Sequence, residues 1–260
     1  MQSQDIDVEF DAQGLTLTLN RAAKVNALST PMMRCITDAI RTARTRRCTH
    51  IILRSALPRV FCAGADIQEF MQGEQALASQ GAALVEMMHL MATVDIPILA
   101  LARGKAAGAG LIMLASADVV IAADNVVWSC PEIEFGMYPT LVHAALAQKL
   151  APARVLQLCT SGLPITAQCG MRDGLITDTF AAERFDTEAE ARLAYYLARP
   201  NALRIARAAR LIDREPETLQ AYYDRMSHLM HDNFNDPNVR EAISRYAQAL
   251  SKSSSGQPKT

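Results

Sequence analysis

Two glycine-broken turns and one glutamate hold the chemistry that this sequence can do. Ile96 to Leu101 reads as a buried strand, and Arg103-Gly104-Lys105-Ala106-Ala107-Gly108-Ala109-Gly110 interrupts it with three glycines before Leu111 to Ala117 reads as a helix. The first amide donors of a helix have no intrahelical acceptor, and small side chains let a ligand oxygen approach the backbone closely. Such a turn suits an anion or an oxyanion. A second passage, Phe61-Cys62-Ala63-Gly64-Ala65-Asp66-Ile67, comes after the buried strand Thr49 to Ser55 and leaves its backbone equally uncluttered. Glu132 follows Pro131 and has the apolar neighbours Trp128, Ile133 and Phe135. Burial among them raises the pKa of a carboxylic acid toward the range useful for proton transfer.

Other chemistries fit less well. The glycine spacing from Gly104 to Gly110 is not GxGxxG, so it does not read as a dinucleotide loop. Cys130 has no histidine placed to activate it and reads as packing; His143, at a helix start, reads as structural or exposed. No serine stands in a nucleophile elbow.

In order along the chain come Asn20-Arg21 through Asn26-Ala27-Leu28-Ser29, the Phe61 to Ile67 segment, Gly104 with Gly108-Ala109-Gly110, Ala117-Asp118, Pro131-Glu132, and Gly136 with Pro139. Together these resemble the crotonase family, also called the enoyl-CoA hydratase/isomerase family, over about residues 8 to 250. The resemblance implies an α/β fold, a crotonase-like spiral of β-β-α units with a helical C-terminal region. It implies that the backbone amides of Ala65 and Ala109 grip the oxygen of a thioester enolate while Glu132 moves a proton at the α-carbon. Each such donor is worth about 2.7 to 4 kcal/mol in the transition state. Ala63, Asp66, Ile67 and Gln68 fall where relatives hold adenine and the pantetheine arm, and Lys24 falls where it can meet a CoA phosphate. Asp66 equally reads as a helix cap and Lys24 as an exposed loop lysine. Gly108, Ile112 and Thr140 complete the expected substrate-contacting set.

Two departures from the family pattern bear on activity. Hydratases of this family place a glutamate three residues beyond the middle glycine, where it helps to hold water; here that residue is Ile112. After Pro139, relatives have a glycine-rich turn and this chain has Thr140-Leu141-Val142-His143, of which Thr140 or His143 can recruit a water. One carboxylate suffices to shift a double bond, so isomerisation is easier to support than hydration. The alternatives are a catalytically silent acyl-CoA-binding or scaffold protein, or a decarboxylase or hydrolase acting on an acyl thioester. No separate cofactor is implied, since coenzyme A arrives as the thioester substrate, and the resemblance implies a homotrimer or homohexamer.

The elements that must position these groups are legible from patterning. Val8 to Phe10 and Leu15 to Leu19 read as strands around an Asp11-Ala12-Gln13-Gly14 turn, and Ser29 or Thr30 before Pro31 announces a helix to Thr45. A helix from Glu74 to Thr93 presents Leu77, Leu84, Met87, Met88 and Met91 at helical spacing, as core packing or as the wall of an acyl pocket. Strands over Val126 to Ser129 and Ile176 to Phe180, helices from Pro139 to about Leu150 and over Ala153 to Thr160, and a cap at Thr166 complete the first part. From Thr187 onward the pattern is helical, with breaks at Pro200, Pro216 and Asp236-Pro237. This predicts a core domain over residues 1–185, a helical oligomerisation region over 186–250 and a disordered tail over 251–260.

Half of the 260 residues are hydrophobic, ample for a packed core, and the net charge of −1 gives no reason to expect nucleic acid or an anionic membrane. Arg41, Arg44, Arg46 and Arg47 read as a solvated helix end. Asp95, Arg103, Lys105 and Asp118 interrupt the long apolar stretch, leaving no uncharged run of ~18 residues to cross a membrane. Six cysteines without CxxC or metal spacing, and no signal-peptide pattern at the start, suggest a reduced, cytoplasmic protein without a metal.

Overall fold

Asp11 sets the hairpin that starts the fold. Its carboxylate accepts the amides of Gln13 (2.7 Å) and Gly14 (2.6 Å), closing the turn between β1 (Ile6–Phe10) and β2 (Gly14–Leu19), which pair antiparallel with Ile6 opposite Leu19. The computed structural model describes residues 5–212 and 216–254. Beyond the hairpin, long and short strands alternate: β3 (His50–Ser55) then β4 (Val60–Cys62), β5 (Ile98–Ala102) then β6 (Lys105–Ala107), β7 (Val119–Ala123) then β8 (Val127–Ser129), with β9 (Ile165–Thr166) and β10 (Asp178–Phe180) last. The longer strands and the three-residue β10 join β1 and β2 in a six-stranded sheet of order β1-β2-β3-β5-β7-β10, parallel throughout after the hairpin. The short ones form a four-stranded sheet of order β4-β6-β8-β9.

Helices follow the strand pairs. α1 (Thr30–Thr45) leads into β3; α2 (Ile67–Phe70) and α3 (Glu74–Thr93) follow β4; α4 (Ala109–Ser116) follows β6; α5 (Thr140–Leu146) and α6 (Pro152–Ser161) follow β8. The same long strand, short strand and helix therefore recur three times, one turn of a spiral each. β5 and β7 are buried at every position, as central parallel strands covered on both faces must be. α1 starts where Ser29 Oγ accepts the amide of Met32 (3.4 Å) and Pro31 fixes the first turn. At its far end the arginines are engaged as a solvated face: Arg41 with Glu86 at 2.6 Å, Arg44 with Asp95 at 3.4 Å, and Arg46 over the Phe10 ring.

The remaining elements are α7 (Ala167–Asp173), capped by Thr166 as expected, then α8 (Phe185–Leu197), α9 (Pro200–Ile212), α10 (Pro216–Asn235) and α11 (Pro237–Ser254). These last helices do not stand apart from the spiral. α10 packs on α3 and α5, and Arg207 of α9 is buried, donating to Val94 O (2.8 Å) and Met91 O (2.7 Å) at the end of α3 and pairing with Asp118 at 2.9 Å.

Several boundaries differ from expectation for local reasons. The helix after Pro139 stops at Leu146 rather than about Leu150, where the amides of Gln148 and Lys149 turn to carbonyls three residues back, Ala145 O and Leu146 O, and the chain tightens into turns. β10 begins at Asp178 rather than Ile176, since Leu175 and Ile176 both donate to Gly170 O and are tied to the end of α7. β4, β6 and β9 were not legible as strands. α11 carries helix through residues 251–254 of the expected tail, propagating from a packed helix at low cost; the rest of that tail, 255–260, lies outside the described residues.

Candidate active site

The second sheet collects the three chemistry-bearing segments at one edge. β4, β6 and β8 lie side by side and parallel, with Cys62 opposite Ala106 and Ala107 opposite Ser129. Each strand runs directly into one segment: β4 into Ala63-Gly64-Ala65, β6 into Gly108-Ala109, β8 into Cys130-Pro131-Glu132. The carboxyl ends of adjacent parallel strands therefore place residues far apart in sequence around one point. Trp128, fully buried on β8, donates its ring N–H to Gly104 O at 3.2 Å and so fastens the glutamate's strand to the glycine turn.

Both turns present a backbone amide. Leu28 bridges Ala65 in parallel, its amide donating to Gly64 O (2.7 Å) and its carbonyl accepting from Asp66 N (2.9 Å), which turns the N–H of Ala65 itself away from Leu28. Ala109 is the first residue of α4, so its N–H has no intrahelical acceptor. The two turns touch: a Cβ built on Gly64 would lie 4.0 Å from Ala109 N, and one on Gly108 would lie 3.6 Å from Gly64 Cα. The same Gly108 Cβ would stand 2.6 Å from Glu132 Oε1, and Gly108 has φ +48°, a conformation that side-chain-bearing residues rarely adopt. Glycine at 108 is what lets the carboxylate reach the turn.

Around these groups is a cavity of about 100 Å³. Ala63, Ala65, Ile67, Gly108, Ala109, Ile112, Glu132 and Thr140 all line it. Among the described residues, Glu132 is its only carboxylate, and Ile112 puts an aliphatic side chain where a second one was conceivable. Glu132 is partly exposed as a residue, yet its Oε2 is buried with no hydrogen-bond partner among the described residues. Burial pushes its pKa from 4.5 up to about 7. Thr140 Oγ1 is likewise buried without a partner. Tyr138, also on the wall, pairs its hydroxyl with His143 Nδ1 at 2.7 Å, and burial holds that imidazole below its ordinary pKa.

Three of the residues singled out from the sequence lie off the cavity wall. Asp66 Oδ1 accepts the amide of Gln68 (3.1 Å), capping α2, and its Oδ2 pairs with Arg21 at 2.7 Å. Lys24 donates its ammonium to the side-chain oxygen of Gln68. Their polar atoms thus hold one another and the start of α2. Of the helical face of α3, only Leu84 reaches the cavity; Met87, Met88 and Met91 are core. Cys130 is buried beside Cys159, which drives its thiol pKa upward, and it takes no part in the wall.

Sequence reading missed the far wall. Phe70 meets Phe234 of α10 with ring centroids 5.0 Å apart, and Met230 and Ile243 join them from the C-terminal helices. The apolar positions of α10 and α11 recur at helical spacing, which marks a buried face without saying what it covers.

A model of the family described as enoyl-CoA hydratase/isomerase matches residues 9–254. Enoyl-CoA hydratase domain-containing protein 3, mitochondrial, of Danio rerio is 28% identical over 200 residues, 72% of this chain and 69% of that protein. The 2,3-dehydroadipyl-CoA hydratase of Escherichia coli K12 is 30% identical over 198 residues, 75% of this chain and 77% of its own length. In fold, the crystal structure of enoyl-CoA hydratase from Bacillus halodurans superposes with a TM-score of 0.82 at 20% identity, covering 93% of this chain and all of that one. The alternation of long strand, short strand and helix is accordingly the crotonase spiral, and the chain belongs to the enoyl-CoA hydratase/isomerase family.

Proposed function

We propose that the protein is an acyl-CoA enzyme that stabilises a thioester enolate between the amides of Ala65 and Ala109, with Glu132 as the single acid/base. What carries this reading is a buried carboxylate with an unpartnered oxygen, set against Gly108 on the wall of the cavity that both amide-bearing turns line. Removing a proton from the α-carbon sends charge to the thioester oxygen. Fixed main-chain donors stabilise that charge without reorganising. A carboxyl group with a pKa near 7 both takes and returns a proton at neutral pH.

Moving a double bond between 3-enoyl and 2-enoyl positions needs only that one group, which takes hydrogen from one carbon and restores it at another. Isomerisation is therefore the turnover the site supports with least. Replacing Glu132 with Gln keeps the shape and removes the base. The variant's isomerisation kcat should fall about a thousandfold or more, within the range that positioned acid/base groups contribute, and the limb of the parent's pH-rate profile near 7 should vanish. A variant that turns over at the parent's rate would remove Glu132 from the mechanism.

A further inference from the structure

We infer that the rings of Phe70 and Phe234 divide the reaction cavity from a second apolar chamber, and that this chamber takes the far end of an unbranched, uncharged acyl chain. The ring pair then determines which chain lengths the site accepts. The inference rests on the acyl-CoA reading above and names the class of acyl group.

The second cavity measures about 220 Å³, and Phe70, Phe234 and Ile243 line both it and the first. Side chains with a surface in each of two cavities stand between them. Two of these three are aromatic rings in mutual contact, 5.0 Å between centroids and tilted by 59°. The partition is therefore made by side chains, which rotate without breaking a backbone hydrogen bond.

What crosses it follows from the linings. Phe70, Leu84, Met230 and Phe234 offer hydrocarbon in the first cavity, and Met71 and Leu77 continue it in the second. A phosphate or a sugar gains nothing there, whereas an alkyl chain gains about fourfold in affinity per methylene taken out of water. The charged members of the second chamber are Glu74 and Arg240, an ion pair at 3.5 Å exposed on both sides. Arg240 is also tied to the end of α10, where its Nε donates to Phe234 O (2.9 Å) and its Nη2 to Asn235 Oδ1 (2.7 Å). Its charge is thus committed within the protein, and an anionic chain end would meet Glu74 beside it.

The rings also sit where movement is easiest. Phe70 is the last residue of α2, followed by the exposed Met71 and by Gly73 with φ +120°, and Phe234 is next to last in α10. Element ends open at lower free energy than element centres. Parting the rings forfeits the roughly two- to twelvefold that an aromatic pair contributes beyond its buried area. About two methylenes beyond the partition recover it. A chain that ends between the rings is therefore disfavoured, and one that reaches past them binds more tightly again.

The test measures dissociation constants of saturated acyl-CoAs, butanoyl- to dodecanoyl-CoA, by calorimetry on the parent and on Phe234→Leu, Leu77→Trp and Met71→Glu. In the parent, affinity should stall or fall over the lengths that meet the rings, then rise about fourfold per methylene. Phe234→Leu loses the ring contact and keeps an apolar side chain; it should erase the stall and raise the long-to-short affinity ratio about two- to twelvefold. Leu77→Trp fills the second chamber and should lower that ratio about tenfold, the worth of roughly two buried methylenes. Met71→Glu, at an exposed position, should lower it as well and stands in if Leu77→Trp does not fold. The inference is overturned by a parental affinity that climbs smoothly through every length, by a ratio that Phe234→Leu leaves unchanged, or by a ratio that neither substitution in the second chamber lowers. Saturated chains undergo no reaction, so these outcomes are independent of Glu132. A stalled profile beside a fully active Glu132→Gln would refute the acid/base assignment and keep the partition; failure of every acyl-CoA to bind would overturn both.

Discussion

At the level of single residues, Glu132 carries a cost that should be measurable without any substrate. Its carboxyl is raised from 4.5 to about 7 by burial, so the folded chain holds the proton more tightly than the unfolded one. Stability contributed by the protonated form is complete below pH 4.5 and is lost as pH rises toward 7. Glu132→Gln should therefore match the parent in urea unfolding at pH 4.5 and exceed it at pH 8, by up to about 3 kcal/mol. An equal difference at both pH values would mean that the carboxylate is solvated. The apolar surroundings of this glutamate were legible in Trp128 and Phe135, since neighbours in sequence share its short segment. The orphaned hydroxyl of Thr140 was legible only as a departure from a glycine-rich turn. Whether a threonine finds an acceptor depends on the residue at which the helix starts, and patterning fixes that poorly.

Among the elements, the long strands and the helices α1 and α3 were readable because burial on a regular period leaves a strong pattern. β4, β6 and β9, two or three residues each, were not, because too few side chains alternate to make one. Yet those short strands are what align the two amide-bearing turns with Glu132. The threefold recurrence of strand, strand and helix was equally hidden, since it repeats in backbone pairing and not in residue identity. The junction of α9 with β7 shows what this costs a sequence reading: Asp118 caps the spiral by accepting Ile98 N at 2.8 Å, and is held by Arg207 at 2.9 Å and Arg210 at 2.6 Å. Arg207 is wholly buried, whereas Arg210 is partly exposed. Arg207→Ala should lower unfolding free energy by about 3 to 5 kcal/mol, as for other broken buried pairs. Arg210→Ala should cost under about 1 kcal/mol, both read from urea midpoints.

On the scale of the whole molecule, the helices beyond residue 185 share packing with the spiral. α10 packs on α3 and α5, Arg207 reaches into the core, and Phe234 closes the cavity against Phe70. Shared packing of this kind predicts one cooperative transition. Trp128, the single tryptophan, reports the second sheet, and far-UV circular dichroism is dominated by the helices. The two signals should lose their native values at the same urea concentration; separated midpoints would instead support a two-part description. The cavity's walls come from stretches near residues 65, 110, 135 and 235, the last of them beyond the spiral altogether. A chain whose α10 and α11 have not yet packed therefore has both amide-bearing turns but lacks the far wall of its chamber.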